Sequence, residues 1–143
     1  MIRSSYHLKR GNCSCKKCKA QVDKLKNSSG YKDIVGTYWS SLKSQARKRG
    51  IDFKIDVEYA WKIYIKQNKK CALTGMKIKF GKNKKDHLEG STTASLDRID
   101  SSKGYTKNNI QWVHKWINIM KSDHKQEVFL ELCQKISLSL IHI

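Results

Sequence analysis

The stretch from Ser95 to Ser122, SLDRIDSSKGYTKNNIQWVHKWINIMKS, constrains this chain more than any other, because three different structural patterns follow one another in it without a break. Ala94-Ser95-Leu96 leads as a short apolar strand into Asp97, and Ser101-Ser102-Lys103-Gly104 has the composition of a turn. Ile110-Gln111-Trp112-Val113 alternates apolar and polar as a half-buried strand does, and from His114 the pattern becomes helical. Strand, turn, strand, helix is therefore the expected order. On the helix Trp116, Ile119 and Met120 are expected to face a core, while His114 and Asn118, four residues apart, share one face. A hairpin folded back on that helix brings the Asp97 carboxylate to the imidazole and the amide. A carboxylate oxygen, a ring nitrogen and an amide oxygen with room for water describe an open divalent-metal site.

Charge narrows the class of partner. Thirty Lys and Arg against 12 Asp and Glu give a formal net charge of +18 over 143 residues. Such an excess suits a polyanion, because basic side chains that neutralise phosphates release condensed counterions. The charge is uneven: residues 1–50 hold 13 basic and 2 acidic side chains, a net of +11, which suggests that the N-terminal part grips the polyanion. The bland alternative is a set of solvated lysines on every face. No apolar run approaches the roughly 18 residues a membrane helix needs, and MIRSSYHLKR lacks the apolar centre of a secretory signal, so a cytoplasmic protein with no membrane partner is expected. Five cysteines in that setting read as thiols or metal ligands rather than disulfides.

In chain order, residues 1–30 read as a basic arm, with Cys15 and Cys18 in a C-x-x-C knuckle at the spacing that presents two thiolates to a tetrahedral zinc. Cys13 and His7 are the nearest groups to complete four ligands, so a structural Zn²⁺ is a candidate here beside a plain basic arm with reduced thiols. Residues 31–70 form a helical region for DNA binding and support. Its first helix, over residues 31–50, carries Ile34, Tyr38, Leu42 and Ala46 on one stripe, with Asp33 in the first turn and Arg47-Lys48-Arg49 before Gly50. A short strand over Ile51–Ile55 follows, then a helix capped by Asp56. Residues 71–143 form the last region. It opens with Cys71 and a candidate strand over Met76–Phe80, and the loop GKNKKDHLEG carries Asp86 and His87. It closes on a helix started by Asp123 and Gln126, with Val128, Phe129, Leu132, Cys133 and Ile136 as its apolar face. The apolar tail SLSLIHI suits docking on the body or self-association, so a homodimer is one expectation.

Over residues 71–122, about a third of the chain, the order and spacing of these residues resemble an HNH nuclease of the ββα-metal superfamily, which includes phage and intron homing endonucleases, colicin nucleases and several restriction enzymes. The resemblance implies an α+β fold: a small ββα-metal core flanked by helices, with a basic N-terminal extension. It implies that Asp97, Asn118 and His114 hold Mg²⁺ (or Mn²⁺), and that Asn109 braces the loop between the strands. At the position where the family usually has its general-base His, this chain has Arg98. That resembles a branch of restriction enzymes with Asp-Arg there, in which another side chain supplies the nucleophile or base.

Arg98 suits clamping the scissile phosphate, since a guanidinium does not deprotonate at usable pH. His87 has a suitable pKa range for the base, with Asp100 and Tyr105 as further candidates. The expected function is a metal-dependent endonuclease acting on double-stranded DNA in a phage or prokaryotic host cell. Two alternatives stand beside it: a degenerate HNH-fold protein that only binds DNA, and a basic RNA-associated structural protein.

Overall fold

The computed structural model describes residues 30–81, 86 and 91–141. Among them are four helices and one two-stranded antiparallel sheet, an α+β arrangement. Helix α1 spans Gly36–Lys48, α2 Val57–Lys66, α3 Lys115–Lys121 and α4 Gln126–Leu140; strand β1 spans Ala94–Arg98 and β2 Ile110–His114. No described helix is long and apolar enough to cross a membrane.

The first helix starts later than its apolar stripe suggests. Tyr31 and Ile34 close a tight turn through two mutual backbone hydrogen bonds of 2.9 and 3.0 Å, with Lys32 at φ 54°, so helical geometry begins only at Gly36. Its C-terminus has a Schellman geometry. Ile51 N–H donates to the Ala46 carbonyl at 2.8 Å and Gly50 N–H to Arg47 at 3.1 Å, with Gly50 in the left-handed region at φ 64° that glycine adopts without strain. The expected strand after it reduces to a single bridge, Phe53 beside Tyr105, with hydrogen bonds Lys54 N to Tyr105 O and Tyr105 N to Asp52 O of 2.8 and 2.7 Å. Gly104 permits this approach, because a Cβ there would lie 2.5 Å from the Asp52 carbonyl oxygen. Met76–Phe80 likewise holds a bridge, Lys70 to Lys77, in place of the expected strand. Asp56 caps α2 through a hydrogen bond from Tyr59 N–H of 2.6 Å.

The hairpin pairs Leu96 with Trp112 and Asp97 with Gln111. Because side chains alternate across a strand, Leu96 and Trp112 share one face, and Ser95, Asp97, Gln111 and Val113 share the other. The first face meets an aromatic cluster, with Phe80, Tyr64 and Tyr38 at 5.0, 6.0 and 6.4 Å from the Trp112 ring. Helix α3 covers the second. Burial on both faces explains why a strand with the alternation of a half-buried one has no exposed side. Both outer edges of the ribbon are also closed by side chains: Tyr38 Oη accepts from Leu96 N–H at 3.3 Å, and the Gln67 amide both accepts from Trp112 N–H at 2.9 Å and donates to its carbonyl at 2.8 Å. One buried cluster runs from Ile34 and Trp39 through Ala60 and Tyr64 to Leu96 and Trp112, so the support helices and the hairpin share a core.

Helix α3 packs on a different face from the one its apolar residues suggest. Trp116, Ile119 and Met120 are 59, 65 and 61 % exposed, while Lys121 is completely buried. Asp97 lies on the strand face that α3 covers, and a buried carboxylate needs a partner, so the helix turns its Asn118 and Lys121 side inward. Helix α4 begins at Gln126 with Lys125 as N-cap and no side-chain cap, rather than at Asp123. Of its expected apolar face only Phe129 is buried; Cys133 is half-buried, and Val128, Leu132 and Ile136 are exposed.

Candidate functional site

The connection between the strands is organised by Asn109, which is 7 % exposed. Its Oδ1 accepts from Asp100 N–H at 2.9 Å, and its Nδ2 donates to the carbonyls of Asp100 and Gly104 at 3.1 and 2.9 Å. One side chain thus ties the end of β1 to the far side of the loop and fixes where β1 ends. Asp100 braces the turn from the outside. Its carboxylate accepts from Ser102 N–H and Oγ at 3.0 and 2.6 Å and pairs with Lys103 at 3.0 Å. Those bonds, the Ser102 hydroxyl first and Lys103 next, hold its carboxyl well below the usual carboxylate range, at about 2. The carboxylate is occupied within the turn.

Asp97 and Arg98 are adjacent and point to opposite faces of β1, so they form no bridge with each other. Arg98 donates through Nη1 to the carbonyls of Ser101 and Lys103, both at 2.7 Å, and its guanidinium lies 5.6 Å from the Tyr105 ring centroid. It lines a cleft of about 660 Å³ together with Arg49, Ser102, Lys103 and Asp123. The cleft therefore runs between the basic C-terminal end of α1 and the hairpin loop.

Asp97 is buried and fully engaged. Oδ1 accepts from Lys121 Nζ at 3.1 Å and Oδ2 from Gln111 Nε2 at 2.9 Å; Lys121 also donates to the Arg98 carbonyl at 2.8 Å, and Gln111 to Gln126 Oε1 at 2.7 Å. Asn118 lies on the same face, but its Nδ2 meets Ser95 Oγ at 2.7 Å and the Leu96 carbonyl at 3.4 Å, two residues back along β1. His114 is not on the helix. It ends β2 in extended geometry, φ −67° and ψ 138°, and caps α3 by accepting a 3.4 Å bond from Trp116 N–H at Nδ1. Paired with Ala94, it sits three steps along the ribbon from Asp97, roughly 10 Å, and on the other face. The expected convergence of Asp97, His114 and Asn118 on one ion is thus replaced by Asp97 and Asn118 on one face, with His114 beyond the sheet.

A divalent ion does not fit at Asp97 as its side chain stands, because both oxygens already accept hydrogen bonds and one of the donors is an ammonium. Among the described residues, no group of three or more His, Cys, Asp or Glu is placed to hold a metal ion. His87, the candidate base, and the candidate zinc ligands His7, Cys13, Cys15 and Cys18 lie outside the described residues. Cys71 is buried as a free thiol.

Lys121 and Gln111 are the site residues that sequence reasoning missed. Lys121 falls three residues after Asn118, on the same helical face, and Gln111 lies directly across the ribbon from Asp97. Both spacings can be read from the chain once the hairpin register is known. Compared with family models, curated proteins and solved structures, the chain matches none.

Proposed function

We propose that this chain is an HNH-type endonuclease that hydrolyses phosphodiester bonds in double-stranded DNA. The reading is carried by the Asn109 brace. A single buried amide makes three main-chain hydrogen bonds across the loop of a hairpin that runs directly into a helix, the part the resemblance gives to the central Asn. The net charge of +18 supports a polyanionic substrate. The cleft sets Arg49, Arg98 and Lys103 against Asp52 and Asp123, a cationic balance that suits a phosphate backbone, and two carbonyls and an aromatic ring fix the Arg98 guanidinium beside it. The resemblance brings an expectation of Mg²⁺ or Mn²⁺, which the Asp97 centre meets only if Lys121 gives up the carboxylate.

The Asp97–Lys121 pair favours a second reading, a DNA-binding protein of the same fold that does not cut. An end-labelled duplex incubated with Mg²⁺, Mn²⁺ or EDTA and resolved on a denaturing gel separates the two. Cleavage that needs the divalent ion and is lost in Asp97→Asn, assayed at a temperature where circular dichroism shows the variant still folded, supports the enzyme. A retarded but intact duplex under every condition supports the binder.

A further inference from the structure

Of the Lys and Arg side chains among the described residues only Arg98 and Lys121 are buried, and Lys121 is buried completely. Its environment is built from four elements. β1 supplies the Asp97 carboxylate and the Arg98 carbonyl, α3 supplies the ammonium, β2 supplies Gln111 to the second carboxylate oxygen, and α4 supplies Gln126 to hold Gln111. Among the described residues, no buried side-chain nitrogen or oxygen lacks a partner, so the cluster is complete as it stands. A carboxylate oxygen and a main-chain carbonyl oxygen that converge on one point are ligands of the kind hard divalent cations take. Here both accept from one ammonium, at 3.1 and 2.8 Å.

We propose that Lys121 is a built-in cation that occupies, between Asp97 Oδ1 and the Arg98 carbonyl oxygen, the position of a hard divalent ion, and that it keeps such ions off Asp97 while DNA is absent. The ammonium and a divalent ion cannot share these oxygens, because charges of the same sign a few ångströms apart in a water-poor interior repel strongly. Substitution by methionine keeps most of the volume of the lysine stem and removes the charge. The buried carboxylate is then left without a cation, and an external ion becomes its remaining source of compensation. The link to DNA rests on the cleavage reading, in which a backbone phosphate is the competing anion that draws the ammonium away. The exclusion itself stands on the ion pair alone.

The test measures Mn²⁺ uptake by the loss of the free-ion paramagnetic resonance signal, and thermal melting in EDTA, Mg²⁺ and Mn²⁺. It uses the DNA-free full chain as wild type, Lys121→Met, Lys121→Gln, Asp97→Asn and the Lys121→Met/Asp97→Asn double variant. Wild type and Asp97→Asn are expected to take up Mn²⁺ alike, and the melting temperature of each, lower in the variant, is expected not to change with the ion. Lys121→Met is expected to gain one Mn²⁺ site at least about tenfold tighter than any Asp97-dependent site in wild type, to melt higher in Mn²⁺ than in EDTA, and to lose both properties in the double variant. Uptake by wild type that disappears in Asp97→Asn and lies within about threefold of the Lys121→Met affinity overturns the proposal. So do Lys121 variants that are indifferent to the ion, or that stay unfolded in its presence, since the ion then does not replace the ammonium. Cleavage is not read in this experiment, so a chain that never cuts DNA still gives the expected pattern.

Discussion

The ammonium of Lys121 and the carboxylate of Asp97 lie 3.1 Å apart with side-chain exposures of 0 and 4 %, and this pair joins α3 to β1 across the centre of the hairpin unit. Burying two charges is expensive, and removing one partner leaves the other uncompensated. Lys121→Met and Asp97→Leu are each expected to lower unfolding stability by about 3–5 kcal/mol in urea titrations without added divalent ions. The double variant should lose less than either single one, because an apolar pair of similar volume leaves no orphan charge. Additive losses in the double-mutant cycle would mean that the two side chains are not coupled.

Asn109 should matter through the loop rather than through contact with DNA. Asn109→Ala removes three hydrogen bonds to main-chain groups and takes from the Asp100 N–H and the Gly104 carbonyl their side-chain partner, while the Asp100 carbonyl keeps Lys103 N–H at 3.2 Å, a loss of roughly 2–4 kcal/mol. The urea midpoint should fall, and hydrogen exchange at Asp100 should rise more than at Trp112, which is held by Gln67 on the far edge. Uniform acceleration of both amides would contradict a local brace.

Asp100 gives the loop a pH dependence with a definite sign. Its folded carboxyl titrates at about 2, below its ordinary value of 3.8, so its contribution is present above that ordinary value and is lost as pH falls toward 2. NMR titration of the Asp100 side chain should show the depressed value, and Ser102→Ala should raise it by removing the hydroxyl donor. An unchanged titration in Ser102→Ala would show that the hydroxyl is not the cause.

The cleft predicts where phosphate is held. Arg49→Ala should weaken duplex binding to a similar degree for unrelated sequences and lower the slope of log K against log salt by about 0.9, one phosphate contact on B-DNA. Lys135→Ala is the control, since that side chain is exposed on α4 in a pair with Glu131 and neither residue lines the cleft. Equal effects in the two variants would indicate general charge rather than a path.

Much of the hairpin unit was legible in the chain. The strands begin and end within a residue or two of where the alternation puts them, and the helix starts one residue after His114, because period-two and helical patterns are local properties of adjacent residues. The face on which α3 packs was not legible. Trp116, Ile119 and Met120 are the apolar side of that helix, yet Asn118 and Lys121 turn inward, since Asp97 on β1 needs a cation and only the hairpin register reveals which helical position meets it. His114 went the same way. Four residues before Asn118, it reads as a helical neighbour, but its extended backbone makes it the last residue of β2 and the cap of α3. In both cases a pairing between distant segments overrode a pattern within one segment.

Supercoiled plasmid incubated with the full chain in Mg²⁺, in Mn²⁺ and in EDTA, beside Asp97→Asn, tests the central claim most directly. Conversion to open circles or linear DNA that requires the divalent ion and disappears in the variant is the predicted result. Plasmid that stays supercoiled in every condition while the protein still retards it on a gel would contradict the nuclease assignment and leave a DNA-binding protein whose central carboxylate is held by its own lysine.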